Sequence, residues 1–385
     1  MAFSAYNGAR GGILTLMSPD VVVVGAGAFG AWTAWHLHKA GVRVVLQEMH
    51  GPAHSRASSG GESRIIRAGY GPREIYTRWS VEAIAQWQEL DSSLFVECGA
   101  LWITAAAGDP FAAATEAAFG RYGVTYDRLD ARQLRRRFPQ LQFADTESAL
   151  YEPRSGALMA RRAIQTLVRL LIREGVAYEV REAGVGDVQS RGAAGHTVFA
   201  CGPWLPKLFP ELLGRRIVPT RQDVLFFGLP PGSTDFGADR LPCWIDVASG
   251  MYGLPDLEGR GFKLADDARG PEIDPDTENR IVAPASVQRA RQYLSSRAPA
   301  LANAPLVESR VCQYENTDSG DYLIDRHPDF SNVWLAGGGS GHGFKHGPAV
   351  GKYLADLILG RGAEEPRFGL ASKKVLRDTA IVSSL

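Results

Sequence analysis

Four consecutive valines, Val21–Val24, run directly into Gly25-Ala26-Gly27-Ala28-Phe29-Gly30, and this junction limits the fold more than any other stretch. An unbroken β-branched run predicts a short strand buried on both faces. Gly25, Gly27 and Gly30 have the G-x-G-x-x-G spacing. Between a strand and a helix, the first glycine serves a tight turn, the second lets backbone approach a pyrophosphate, and the third allows close helix–strand packing. N–H groups at the positive end of the helix then receive phosphate. The helix is expected to run to Ala40, with Gly41 as its C-cap and a second strand over 43–48. Glu48 stands 18 residues after Gly30, where a carboxylate accepts hydrogen bonds from ribose hydroxyls. The reading is a nucleotide-binding βαβ unit. The motif alone does not separate FAD from NAD, and a ligand-free tight turn is its bland alternative.

A chain of 385 residues exceeds one small core and predicts two domains, interleaved in sequence. Apolar and charged fractions of 45% and 22% are those of a globular protein, and zero net charge leaves no electrostatic footprint for nucleic acid or an anionic membrane. The four cysteines (Cys98, Cys201, Cys243, Cys312) form no C-x-x-C pair. That spacing argues against a metal site or a disulfide framework, and it fits a reducing compartment, with the cytoplasm expected. No apolar run is long enough for a membrane span. Met17 reads as the natural start, with 1–16 as an N-terminal extension, and Ser383-Ser384-Leu385 only loosely resembles a peroxisomal tripeptide.

Beyond Glu48 comes a Gly/Ser-rich loop, Ser58-Ser59-Gly60-Gly61-Glu62-Ser63-Arg64-Ile65-Ile66-Arg67. Its arginines read either as a solvated surface or as guanidinium groups carried into a cleft beside the nucleotide turn. Trp79, Ala83 and Trp87 at i, i+4, i+8 make 74–94 an amphipathic helix with a core-facing stripe. Strand is expected over 96–107, helix over 109–122, and a wet basic helix face over 132–139. An amphipathic helix over 161–174 ends at Gly175 and precedes a strand through Tyr178 and Val180. After a hairpin-like insert, His196-Thr197-Val198-Phe199-Ala200-Cys201-Gly202 reads as a buried strand returning to the parallel sheet, with Cys201 as a small buried hydrophobe. Further strands are expected at 224–228, 244–254 and 261–264, and a helix after an acidic loop within 271–296. The last informative stretch is Val333-Trp334-Leu335-Ala336-Gly337-Gly338-Gly339-Ser340-Gly341-His342-Gly343-Phe344-Lys345, a strand entering a glycine-dense turn before a helix over 348–359. Such glycine density means backbone pressed against a ligand.

With the fingerprint, the loop from Gly61 to Arg67, Lys263 in its strand, Cys312 and the Ser340–Lys345 segment in this order, the chain resembles the glycine/D-amino-acid oxidase family of flavoproteins, most closely its monomeric sarcosine oxidase and N-methyltryptophan oxidase branch. The resemblance covers nearly the whole chain from Met17. It implies an α/β fold: a Rossmann-like, doubly wound FAD-binding domain (17–91, 151–216 and 319–385) interleaved with an α+β substrate domain on an antiparallel-rich sheet (92–150 and 217–318). It implies extended FAD along Gly25, Gly27, Ala28, Phe29, Gly30, Glu48, Ser59, Arg64, Val185, Gly202, Trp204, Gly339, Gly341, His342, Gly343, Phe344 and Lys345. Cys312 matches the cysteine that forms a thioether to the flavin 8α-methyl carbon; read without the resemblance, it is a buried structural thiol. Lys263 matches the lysine that promotes reaction with O₂, where its bland reading is a strand-edge lysine. Arg67 and Lys345 match the pair that holds the substrate carboxylate, Arg64 an arginine close to the flavin, and Tyr252 a pocket tyrosine. His342 is read as flavin-facing or structural, not as a base.

The implied reaction oxidises an amine bearing a carboxylate: hydride passes to flavin N5, the imine hydrolyses, and O₂ is reduced to hydrogen peroxide by a monomeric enzyme. Two positions depart from the sarcosine-using pattern. Asp267 stands where those members carry histidine, and Trp244 stands near the pocket where they carry methionine. A carboxylate there favours a cationic substrate and an indole changes pocket volume, so a bulkier N-alkyl, cyclic imino or dibasic amino acid is at least as well matched as sarcosine. A flavin dehydrogenase with another electron acceptor and a non-catalytic NAD-binding module are the alternatives.

Overall fold

The computed structural model describes residues 20–376 apart from 107, 185 and 188–194. The 1–16 extension, Val185 and most of the insert before His196 therefore lie outside the described residues.

The chain opens with β1 (Val21–Val24), α1 (Ala28–Lys39) and β2 (Val44–Glu48). α1 stops where Gly41 takes φ +85°, a conformation that costs only glycine nothing. β3 (Arg64–Ile66) follows the Gly/Ser loop, and α2 (Glu74–Leu90) buries Trp79, Ala83 and Trp87 as its spacing predicts. α2 ends four residues earlier than expected because Asp91 is extended (φ −172°) and its side chain accepts from the Ser93 N–H, starting a separate turn. The strand expected over 96–107 is two, β4 (Phe95–Val96) and β5 (Ala100–Thr104), split by Gly99 at φ +84° into different sheets. Next come α3 (Pro110–Tyr122), capped by Asp109 and closed by left-handed Gly123, then β6 (Asp127–Asp130) and α4 (Ala131–Arg137). β7 (Ser148–Glu152), β8 (Gly156–Leu158), α5 (Ala160–Arg173), β9 (Ala177–Val180) and β10 (His196–Phe199) lead to β11 (Val218–Phe227). β12 (Cys243–Asp246) and β13 (Met251–Leu254) are the two halves of the 244–254 stretch, paired antiparallel. β14 (Phe262–Asp266), α6 (Pro284–Arg297), β15 (Leu306–Asn316), β16 (Leu323–His327), β17 (Phe330–Gly337) and α7 (Gly347–Ile358) complete the order.

Among the described residues the first sheet has the order β16-β17-β10-β1-β2-β9, parallel except for the β16–β17 pair, so β10 does return beside β1. The second, β15-β11-β14-β13-β12-β5-β7-β6, is antiparallel except where β12 meets β5. A small third sheet, β3-β8-β4, carries the Arg64 strand. The fold is mixed α/β, a doubly wound parallel layer joined to an antiparallel-rich one. α1 and α7 cross with backbones in contact: a Cβ on Gly351 would lie 2.4 Å from the Trp32 carbonyl carbon. No helix among the described residues is long and apolar enough to cross a membrane.

Strand alternation fixes what the second sheet shows to the first. Pairing places Trp102, Ile245, Tyr252 and Ala265 in one row across the sheet, and Lys263, Cys312 and Tyr314 share that face. The opposite face buries Trp244, Phe262 and Leu264 with Ala290 and Leu294 of α6 in one apolar cluster. Trp244 stacks on Phe262 with ring centroids 5.0 Å apart and donates its Nε1–H to the Tyr293 hydroxyl at 3.2 Å. The expectation that this indole shapes the substrate pocket is therefore wrong: it fills core on the far side of the sheet from Lys263.

Candidate active site

A long cleft opens at the C-terminal end of β1 and runs along the seam between the two larger sheets. Of the residues expected to meet a dinucleotide, Gly25, Gly27, Ala28, Phe29, Glu48, Ser59, Arg64, Gly202, Trp204, Cys312, Gly339, Gly341, Gly343 and Phe344 line it. Gly30 stands behind this wall: a Cβ there would meet the Gly25 carbonyl oxygen at 1.8 Å, so it serves helix–strand contact. Gly25, at φ +103°, makes the turn, and a Cβ would lie 2.3 Å from the Ala200 oxygen. At Gly27, Gly202 and Gly339 a Cβ would meet nothing nearer than 3.3 Å, so these three α-carbons face open cleft and suit close approach of a ligand. Glu48 accepts from the Ala26 N–H at 2.8 Å and the His50 N–H at 3.2 Å, which fixes its carboxylate at one end. Cys201, read as a buried hydrophobe, is only half-buried and also lines the cleft. Cleft, glycines, helix terminus and carboxylate together fit an extended dinucleotide.

Cys312 lies at the other end. Its Sγ is 3.4 Å from Arg64 Nη2, and Arg64 also donates to the carbonyls of Ser63 at 2.8 Å and Ser58 at 2.6 Å. The guanidinium lies over Gly61, where a Cβ would come within 2.4 Å of Nη1. Lys263 is 3% exposed on a central strand, which removes the strand-edge reading, and its Nζ donates to the Ser63 carbonyl at 2.7 Å. Burial first, then the charge of Arg64, pull its pKa down to about 7.

Arg67 and Lys345 converge on Tyr70. The Arg67 guanidinium sits between two rings, 4.0 Å from the Trp102 centroid and 4.2 Å from that of Tyr70, and donates to the Gly69 carbonyl. Lys345 Nζ donates to the Tyr70 hydroxyl at 2.9 Å and the His342 carbonyl at 3.2 Å. At 5% and 6% exposure both cations are buried, so the solvated-surface reading of Arg67 fails. Among the described residues neither is paired with a carboxylate. Burial, then the charge of Arg67, drive the Lys345 pKa well below its ordinary value, and burial lowers that of Arg67.

His342 does not line the cleft. Its Nδ1 is hydrogen-bonded to the Tyr322 hydroxyl at 2.9 Å and its Nε2 to the Gly320 carbonyl at 2.9 Å, so both ring nitrogens belong to the wall behind. Burial and the nearby Lys345 keep this imidazole neutral. Tyr252 and Tyr314 are hydrogen-bonded neighbours whose hydroxyls burial holds protonated, and Tyr314 donates to Asp267 Oδ1 at 3.0 Å. Tyr314 was missed in the sequence, although its place two residues after Cys312 puts it on the same strand face. Tyr70, Trp102 and Glu152 were missed too, having no motif to mark them.

The profile of the DAO family, described as FAD dependent oxidoreductase, matches residues 20–357. The monomeric sarcosine oxidase of Bacillus sp. (strain NS-129) is 32% identical over 357 residues, covering 88% of this chain and 92% of that protein. The N-methyl-L-tryptophan oxidase of Salmonella newport (strain SL254) is 28% identical over 379 residues, covering 94% and 99%. L-proline dehydrogenase from P. horikoshii shares the fold at a TM-score of 0.77 and 19% identity, covering 91% of this chain and 96% of that one. Amadoriase I from Aspergillus fumigatus does so at 0.74 and 19%, covering 92% and 90%. FAD is thereby separated from NAD, which the glycine triplet alone left open, and the chain belongs to the DAO family of FAD dependent oxidoreductases.

Proposed function

We propose that this protein is a flavin-dependent oxidase of a secondary amine or N-alkyl amino acid. The observation that carries the proposal is the buried pair Arg67 and Lys345, two cations joined through Tyr70 and, among the described residues, in direct ion-pair contact with no carboxylate. Buried charge without a partner is costly, and a ligand carboxylate is the group that relieves it. FAD, when bound, would supply a two-electron acceptor for the hydride on the carbon next to nitrogen, with O₂ as the final oxidant and hydrogen peroxide as the product. The chain's own residues do the rest. Arg67 offers a planar fork and Lys345 a point charge to the carboxylate, which orients the amine end. Lys263 holds positive charge where negative charge develops during oxygen reduction. Glu48 would hold the ribose end of the cofactor. The imine product hydrolyses in water without help from an acid–base residue.

Asp267 bears on the substrate. It is 8% exposed, bonded to Tyr314, and near enough to Tyr252, Arg67 and Lys345 to act on their charge. A carboxylate here favours an amine bound as a cation or a substrate with a second basic group. With Trp244 on the far face, Asp267 alone argues against plain sarcosine. A panel of N-methyl amino acids, pipecolate, proline, lysine and their carboxylate-free analogues, read by peroxide release, tests this. The acids are expected to be oxidised and the matching amines at least 100-fold more slowly, as the loss of a buried charge contact predicts. Equal rates for acids and amines would end the carboxylate reading, and flavin reduction without peroxide would favour the dehydrogenase.

The same proposal takes Cys312 as the point of covalent attachment, supported by its place on the cleft wall with its Sγ 3.4 Å from the Arg64 guanidinium. Acid precipitation of the wild type is expected to leave the yellow colour in the pellet, and of Cys312→Ser to release it. Colour in the wild-type supernatant would exclude the bond. Residues 17–91, 151–216 and 319–385 as the FAD-binding part, 92–150 and 217–318 as the substrate part, a monomeric state and a cytoplasmic location belong to this proposal as well.

A further inference from the structure

Glu152 ends β7 with its carboxyl 1% exposed, outside the cofactor cleft. Every acceptor position it has is used, and by an informative set of donors. Oε2 accepts from the Ala68 N–H at 2.7 Å and the Ser155 hydroxyl at 2.6 Å. Oε1 accepts from the Gly69 N–H at 3.0 Å and the Trp102 Nε1–H at 3.1 Å. Three of these four donors flank Arg67: two are the next backbone amides in the chain, and the third is the indole on which its guanidinium lies at 4.0 Å. The unit has no slack. A Cβ on Gly69 would come within 2.6 Å of the Trp102 nitrogen and 3.0 Å of Glu152 Oε1. The Arg67 guanidinium in turn donates to the Gly69 carbonyl, so the amide on one side of that residue is tied to Glu152 and the carbonyl on the other to Arg67.

We propose that Glu152 is the positioning residue of the carboxylate clamp: through the Ala68–Gly69 backbone and the Trp102 indole it sets the pose in which Arg67 meets a substrate's acid group. This rests on Arg67 and Lys345 being that clamp. Only a carboxylate can accept from four donors in this arrangement. An amide of the same shape keeps one acceptor oxygen and turns an NH₂ toward the other pair, so Glu152→Gln leaves unpaired either the Ala68 N–H, with Ser155 turning to accept, or both the Gly69 and Trp102 N–H groups. The charge is removed at the same time from beside two buried cations.

The test compares two probes of the same ring and opposite end groups, benzoate and benzylamine, bound to the FAD-loaded protein and followed by the flavin absorbance shift. Glu152→Gln is expected to raise the benzoate Kd by roughly 10- to 100-fold, the size of effect a displacement of about 1 Å produces at a positioned contact. Benzylamine binding is expected to stay within about threefold. With the best acid of the substrate panel, KM rises in step with the benzoate Kd while kcat stays within about threefold, and Glu152→Asp, which keeps four acceptor sites, recovers part of the loss. Parallel loss for benzoate and benzylamine, or an unchanged benzoate Kd beside a lowered Tm, would make Glu152 a structural residue only and overturn the proposal. Should Glu152→Gln fail to fold, Trp102→Phe removes one donor and keeps a ring beneath Arg67; an unchanged benzoate Kd in that variant overturns the proposal equally. Arg67→Ala separates the two levels: if it leaves benzoate binding intact, the clamp itself is wrong and Glu152 has nothing to position.

Discussion

Replacing Lys263 with methionine is expected to slow reoxidation of the reduced enzyme by O₂ about 100- to 1000-fold, the usual cost of removing one preorganised charge from a developing anion. Flavin reduction by substrate is expected to change by no more than about threefold, because the amine's carbon loses its hydride before oxygen is involved. Stopped-flow measurement of the two half-reactions decides it: equal slowing of both, or of neither, removes Lys263 from oxygen chemistry. A second signature follows from burial. The folded chain lowers this lysine from 10.5 to about 7, so between those values the unfolded chain holds the proton and the folded one does not. Stability therefore rises with pH across that window, and below pH 7 the folded state carries a buried ammonium at a cost. The methionine variant should melt higher than the wild type, with a larger gain at pH 6 than at pH 10. Wild-type reoxidation should fall as pH rises through the lysine's pKa, and the variant should show no such step.

Arg67→Ala is expected to lower kcat/KM for a carboxylate-bearing substrate by about 100- to 1000-fold, chiefly through KM, in line with the 2–5 kcal/mol lost when one partner of a buried charge pair is truncated. Arg67→Lys should recover little. An ammonium carries charge but cannot lie flat between Trp102 and Tyr70 or offer two parallel N–H groups to an acid. Steady-state kinetics with an acid and its decarboxylated analogue give the comparison; a loss below about tenfold, or one shared by both compounds, would sink the clamp.

The first βαβ unit was legible because three local signals agree there: a β-branched run, glycines at fixed offsets, and a capping glycine followed by an acid. Lys263, Cys312 and the Arg67–Lys345 pair were legible through family resemblance, since no spacing rule brings together residues up to 278 positions apart. What failed was strand-face parity. All four residues of β12 are buried, so Cys243-Trp244-Ile245-Asp246 has no apolar–polar alternation to say which side looks at the site. Pairing with β13 and β14 decides it, and Trp244 falls on the core side. Glu152 was silent for the opposite reason: a glutamate at the end of an ordinary strand reads as solvent-facing, and only the fold brings the Ala68–Gly69 amides to it. His342 sat in an informative glycine turn, yet its ring is claimed by Tyr322 and Gly320, partners the turn itself does not reveal.

Tyr70 touches both cations, one through its face and one through its hydroxyl. Neither charge can drift without dragging that ring, so if the proposed clamp holds, the gap between them is a built-in gauge for a single acid group, whatever trails behind it. Under that reading, selectivity for the amine end falls to the far side, around Asp267 and the two tyrosines beside it. Exchanging those few residues would then change which amines are accepted while the proposed hold on the acid stays as it is.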